Sequence, residues 1–174
     1  MDLADLETRI VDETRMICVE SPGSLTMEFQ DLPAIVELAK PVGALVACDN
    51  SWASPLNFRP LEHGADLVFE ALSKHIGGHS DLLLGSITTR EDELGLQLKS
   101  SMGRLGIGTS PDDVALACRG LETLAVRMEH SAASASKIAE WLATQDAVSQ
   151  VLHPQSTDTP GHEVWERDFS GACG

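Results

Sequence analysis

The sequence predicts an α/β domain with a mostly parallel sheet flanked by helices, and two observations predict it. Short apolar runs recur along the first half, each closed by a polar or glycine-bearing cluster, with helix signals in the connections. Beyond Arg90 the pattern changes to helical spacing for some fifty residues.

Met16-Ile-Cys-Val-Glu20 is the first run, ended by Ser21-Pro-Gly23, and reads as a buried strand followed by a turn. Asp31 then serves as a cap for a helix whose apolar residues Leu32, Ile35, Val36, Leu38 and Ala39 recur at helical spacing, with Pro41 and Gly43 near its end. Ala44-Leu-Val-Ala-Cys48 is a second buried run, stopped by Asp49-Asn-Ser51, and Asp66-Leu-Val-Phe69 a third, followed by the loop Ala71 to Asp81. Leu82 to Thr89 is expected to be a fourth strand and Glu91 to Ser100 a helix. Ser110-Pro111-Asp112-Asp113 is a helix start, with a hydroxyl to cap, a proline that needs no N–H, and two acids where the helix dipole favours them. That helix is expected to run to about Thr144 with a kink or break near His130 to Ser136, and Val148 to Leu152 to be a last short strand.

The chain of 174 residues is 43% hydrophobic, enough for one domain with a core. Its net charge of -15 repels phosphate backbones and anionic lipid, so neither nucleic acid nor a membrane surface is an expected partner. The opening Met1 to Arg9 carries three acids and no apolar run, and no stretch approaches the roughly 18 apolar residues of a membrane span, so a cytoplasmic location is expected. The four cysteines, Cys18, Cys48, Cys118 and Cys173, lack a C-x-x-C pair and are expected to be free thiols, Cys18 and Cys48 buried in strands. No histidine or cysteine pair has zinc-site spacing, so no metal is expected. Arg119 and Arg127 are expected to be structural ion-pairing residues on one helical face, His153 and His162 to be exposed, and Trp141 and Trp165 to pack helices.

In open α/β sheets, ligands gather beyond the carboxyl ends of the strands. Three polar clusters fall there: Ser21-Pro-Gly-Ser24, Asp49-Asn-Ser51 and Ser73-Lys-His75. Asp49 and Lys74 should therefore face one cleft, and a lysine stripped of water there becomes a nucleophile toward a carbonyl. On position alone, a lysine after a strand is more often a solvated loop residue, and an aspartate ending a strand more often a turn former.

Longer stretches carry more information. Glu20-Ser-Pro-Gly-Ser-Leu-Thr-Met-Glu28, Asp49-Asn-Ser-Trp-Ala53 and Ala71-Leu-Ser-Lys-His-Ile-Gly-Gly-His-Ser-Asp81 resemble, in order and spacing, consecutive signatures of the Cys/Met-metabolism family of pyridoxal 5′-phosphate (PLP) enzymes. Cys118-Arg-Gly-Leu-Glu-Thr-Leu124, Lys137 to Leu142 and Gly161 to Gly171 agree with it. The resemblance implies part of the large domain of a fold-type I, aspartate aminotransferase-like enzyme over residues 1–145, incomplete at its N-terminal side, and the beginning of the small C-terminal domain over 146–174. It implies that Lys74 is the Schiff-base lysine and the base for the Cα proton, that Asp49 binds the pyridine nitrogen, and that Ser73 donates to the cofactor phosphate. Ser24 stands where other members have an asparagine near the ring. His75 replaces the usual tyrosine after the lysine, and Ser73 the commoner threonine.

Gly23-Ser24 and Trp52 tilt the resemblance toward the β-lyase branch, which implies a small sulfur amino acid as substrate and β-elimination of cystathionine to homocysteine, pyruvate and ammonia, a step of transsulfuration and methionine biosynthesis. A homo-oligomer, dimer or tetramer, is the implied assembly of the intact protein. The alternatives are γ-lyase, γ-synthase or methionine γ-lyase chemistry, and a catalytically incompetent fragment or non-catalytic subunit. The family's phosphate-binding turn and ring-stacking tyrosine would lie upstream of this sequence, and its carboxylate-binding arginine downstream.

Overall fold

The computed structural model describes residues 3–173. Met1, Asp2 and Gly174, which belong to the acidic opening and the glycine-rich close of the sequence, lie outside them.

The sheet holds the strands β1 (Met16–Glu20), β2 (Leu45–Asp49), β3 (Leu67–Ala71) and β4 (Gly85–Thr88), side by side in that order. The first three are parallel, with Glu20 opposite Asp49 and Asp49 opposite Phe69, so their carboxyl ends lie level. β4 returns antiparallel, with Ala71 opposite Gly85. It is shorter than its apolar run because Leu82 turns into the interior and Leu84 is taken up by backbone bonds to Ser73.

β2 is covered on both faces, Val46, Ala47 and Cys48 each being at most 1% exposed. β1 is an edge strand in which Ile17 and Val19 are buried while Met16, Cys18 and Glu20 are exposed. The expected burial of Cys18 is therefore corrected: period-2 alternation puts it on the open face. No disulfide forms among the described cysteines, and burial pushes the Cys48 and Cys173 thiols up to about 12, with the charge of Asp49 adding to the effect at Cys48.

A short helix, α1 (Leu3–Arg9), precedes the sheet and buries Leu6. The α2 helix (Leu32–Ala39) forms as the sequence predicts, with the Asp31 carboxylate accepting the Ala34 N–H at 3.1 Å and Leu32, Ile35, Val36 and Ala39 buried. Lys40–Val42 tightens to a 3₁₀ turn, and Gly43, at φ +67°, ends it in the left-handed region that glycine adopts without strain. After the single turn α3 (Ser54–Asn57), Phe58 stacks on Phe169 at 4.1 Å, and Phe169 meets Phe29 edge-on at 5.1 Å. This cluster draws the last helix, α7 (His162–Asp168), onto the same core as the strands.

Three helices lie between, α4 (Asp92–Leu105), α5 (Pro111–Leu121) and α6 (Leu124–Leu142). Ser110 caps α5 through the Asp112 N–H at 3.2 Å. The break in the long helical stretch comes at Glu122–Thr123, not near His130 to Ser136, because the Gly120 carbonyl is taken by Thr123 N–H and by the Arg127 guanidinium. Val148–Leu152 is not a strand: Val148 N–H closes a turn onto Gln145, and among the described residues no neighbouring strand offers a ladder. His162 is mostly buried, its Nδ1 2.7 Å from the Pro154 carbonyl and its ring tilted against Trp165. His153 Nε2 is buried as well, so the expected exposure of these two histidines is corrected. Trp165 packs on the core, whereas Trp141 is 60% exposed and belongs to no core cluster of the described residues.

Candidate functional site

Each of the three polar clusters sits at a strand's carboxyl end, and backbone bonds fix each one. Beyond β1, the loop closes on itself through Gly23 N–H to the Glu28 carbonyl at 3.0 Å and Met27 N–H to the Gly23 carbonyl at 3.0 Å. Buried Ser21 accepts the Gln30 N–H at 3.0 Å, and the Ser24 hydroxyl donates to the Glu20 carboxylate. Beyond β2, Asp49 Oδ1 accepts the Ser51 N–H at 2.8 Å, which leaves Oδ2 without a hydrogen bond among the described residues. Ser51 Oγ in turn accepts the Ala71 N–H at 2.7 Å, so the turn after β2 is tied to the last residue of β3.

Asn50, 1% exposed, donates from Nδ2 to the Phe58 carbonyl at 3.0 Å and to Glu70 Oε1 at 3.2 Å. Burial pushes the Glu70 carboxyl above its ordinary range, against the Asn50 hydrogen bond and aided by the charge of Asp49.

Lys74 begins a compact turn beyond β3. Its N–H reaches the Ala71 carbonyl at 3.0 Å, its carbonyl accepts the Gly78 N–H at 2.8 Å, and Gly77 N–H reaches the Leu72 carbonyl at 2.7 Å. The Ser73 hydroxyl bridges both backbone groups of Leu84, accepting from N–H at 3.0 Å and donating to the carbonyl at 3.2 Å.

A cavity of about 150 Å³ lies over the strand ends, and Ser24, Asp49, Ser51, Trp52, Lys74 and His75 line it. Ser24, Asp49 and Lys74 are thus brought together as their positions predict. Ser73 instead borders the adjoining, wider cleft, which it shares with Lys74 and His75. One expectation is corrected: Lys74 is exposed, so the described residues do not strip its ammonium of water. Burial, followed by the nearby charges of Arg127 and Lys74, pushes the His75 imidazole below its ordinary range, which keeps it neutral at pH 7.

The side chain that sequence reasoning misassigned is Arg127. Arg119 does make an ion pair, with Asp81 at 2.6 Å, but Arg127 has no carboxylate partner among the described residues. Its guanidinium donates to the carbonyls of His75 at 2.6 Å, Ile76 at 3.2 Å and Gly120 at 2.8 Å. Nothing in a helical spacing signals bonds to a loop fifty residues earlier; the one available hint was glycine at 77, 78 and 120, where backbone and side chain crowd together.

Among the described residues no group of three or more His, Cys, Asp or Glu could hold a metal ion, and no helix is long and apolar enough to cross a membrane. The cavity does offer what a PLP-type group needs: a lysine amine, a carboxylate with a free oxygen and a serine hydroxyl, all on backbone that is hydrogen-bonded in place.

Comparison with known proteins agrees. The sequence is 44% identical over 171 residues to a putative cystathionine β-lyase of Rhizobium johnstonii, covering 98% of this chain and 43% of that protein. The fold superposes on the crystal structure of metB from Corynebacterium glutamicum with a TM-score of 0.97 at 36% identity, over 99% of this chain and 45% of that one. It superposes equally widely on cystathionine γ-lyase from Lactobacillus plantarum complexed with L-serine, with a TM-score of 0.95 at 32% identity, again over 99% of this chain and 45% of that one. The chain therefore spans about half the length of the relatives it matches. The family described as Cys/Met metabolism PLP-dependent enzymes matches residues 1–174 in full, and the chain belongs to that family.

Proposed function

We propose that the intact protein is a PLP-dependent carbon–sulfur lyase that performs β-elimination on cystathionine, giving homocysteine, pyruvate and ammonia, and so serves methionine biosynthesis by transsulfuration. The observation that carries this reading is the shared cavity of Lys74, Asp49 and Ser24 at three level strand ends. Similarity to a putative cystathionine β-lyase at 44% identity favours the β-lyase branch over the γ-lyase branch.

Lys74 Nζ would hold the cofactor covalently and, once released, move the proton at the substrate Cα. Asp49 Oδ2 is free to accept a pyridine N–H, while the Ser51 N–H holds the other carboxylate oxygen in place. When bound, the protonated PLP ring supplies an electron sink for the substrate carbon. Ser73 would turn its hydroxyl hydrogen from the Leu84 carbonyl to a phosphate oxygen and still accept the Leu84 N–H. Ser24 would lie beside the ring. Residues 1–145 would form the large domain and 146–174 the beginning of the small one.

A second reading is favoured by the exposure of Lys74 and by the Arg127 guanidinium, which borders the wider Lys74 cleft but is taken up by the carbonyls of His75, Ile76 and Gly120, while the smaller cavity has no arginine in its lining. On that reading these 174 residues bind PLP but do not turn substrate over. Adding PLP and recording the visible spectrum separates the cases from non-binding: yellow absorbance is expected, and Lys74→Ala should abolish it. Absence of a lysine-dependent colour excludes cofactor attachment here. Release of α-ketobutyrate instead of pyruvate from cystathionine by an intact relative carrying these residues would overturn β-elimination.

A further inference from the structure

We propose that Arg127 is a positioning residue for Lys74: its guanidinium, anchored at the α5–α6 break, fixes the turn that presents the lysine amine to the cavity.

The backbone bonds within the turn leave two of its carbonyls, those of His75 and Ile76, without a backbone partner among the described residues. Residues 72–78 form no helix or strand, and the carbonyls of His75 and Ile76 point away from the sheet ladder toward α6. Left to water, two such carbonyls would let the turn adopt several shapes. Arg127 takes both, and a third bond from the same guanidinium to the Gly120 carbonyl joins them to the end of α5. The anchor is itself held, since Arg127 Nε donates to Thr123 Oγ1 at 3.0 Å. One planar fork thus bridges the lysine turn and the helix break, a geometry that a lysine's single ammonium cannot reproduce.

Glycines shape both sides of the bridge. A Cβ on Gly120 would stand 2.0 Å from the Ile76 carbonyl oxygen, so only glycine lets α5 approach the turn this closely. Gly78, at φ +72°, lies directly under the guanidinium, where a Cβ would come within 2.1 Å of Nη1. Gly77 is confined too, with the Leu72 carbonyl 2.8 Å from the position of an added Cβ. The three glycines and the arginine make one device with no acidic partner, built around the two residues that follow Lys74. A purely structural arginine on this helix would more simply pair with a carboxylate, as Arg119 does with Asp81.

This inference rests on the proposed role of Lys74, and two readouts keep the questions apart. Hydrogen exchange of residues 72–79 reports the turn without any cofactor. Borohydride trapping of PLP on Lys74, followed by peptide mass spectrometry across a pH series, reports presentation of the amine.

In the full chain, Arg127→Met should speed exchange of 72–79 by about tenfold or more while the core strands stay within about twofold. Trapping at Lys74 should slow by about tenfold, and Arg119→Met should change neither. Arg127→Lys keeps the charge, and it should speed exchange of 72–79 at least about threefold and fail to restore trapping. That variant decides the matter if Arg127→Met does not fold. Unchanged exchange in 72–79, exchange that rises equally in the core strands, or full trapping by a variant with a loosened turn would each overturn the proposal. Failure of the unsubstituted chain to trap PLP would exclude cofactor attachment to this chain instead, and exchange would still decide whether Arg127 fixes the turn.

Discussion

The strand region and the helical region of this molecule use equally apolar sequence to opposite effect. Around β1–β3, Leu32, Val46 and Cys48 are at most 1% exposed and α7 folds back to complete the same core. In α4 no residue is buried, although Leu94, Leu98, Met102 and Leu105 recur at helical spacing. Leu96 is 67% exposed and Leu105 74%. Amphipathic spacing states that a helix has a face to cover; it does not state that the same 174 residues cover it. The Lys74 turn lies at the seam, built on the strand region and held by the helical one.

Paired core substitutions test this contrast most forcefully. Leu32→Ala should lower stability by about 2–5 kcal/mol, through lost transfer energy and a residual cavity, whereas Leu96→Ala should stay within about 0.5 kcal/mol. Urea unfolding of the two variants measures both, and equal losses would erase the distinction between the regions.

A smaller effect is expected where α7 is fastened to α2. Arg167 forks onto both oxygens of Asp31, at 2.9 and 3.0 Å, and its hydrogen bond is the main cause that holds the Asp31 carboxyl below its ordinary range. A depressed carboxyl lends stability that is fully present above its unfolded value and lost as pH falls through its folded one. Arg167→Ala should therefore cost about 1 kcal/mol or less at neutral pH, since half of the arginine is solvated, and should flatten the loss on acidification. Denaturant midpoints from neutral pH into the acid range give the answer; parallel curves would show that the fork contributes nothing.

The smallest effect sits at the border. Glu70, raised by burial, contributes stability below its unfolded value that is lost as pH rises through its folded one. Glu70→Gln keeps the acceptor for Asn50 and removes that loss, so it should raise the unfolding free energy at neutral pH by less than about 1 kcal/mol, seen as a slightly higher melting temperature, and leave both unchanged in acid. A lower melting temperature at neutral pH would mean that the charge, not its burial, matters there.

How much could be read in advance follows the same divide. β1, β2, β3 and the Asp31-capped helix were legible because local signals and burial agree: apolar runs closed by turn residues, and a cap before a periodic stripe. Asp49 and Lys74 could be placed at one cavity because parallel strands in sequential order bring their carboxyl ends level. What escaped depends on contacts distant in sequence. The helix breaks at Glu122–Thr123 because the Gly120 carbonyl is recruited by Thr123 and Arg127, and Val148–Leu152 has strand-like residues but no strand beside it. The exposure of Lys74 escaped for a related reason: strand-end position predicts where a side chain points, while its dehydration depends on what else surrounds it.

The bridge from Arg127 to the lysine turn also sets an order in time. Arg127 follows His75 by 52 positions, so on a ribosome adding roughly 5–20 residues per second it arrives about 3–10 s after the turn it holds. During that interval the three level strands can already assemble from their own residues, while the His75 and Ile76 carbonyls still face water. The turn that carries Lys74 is thus made before the side chain that holds it.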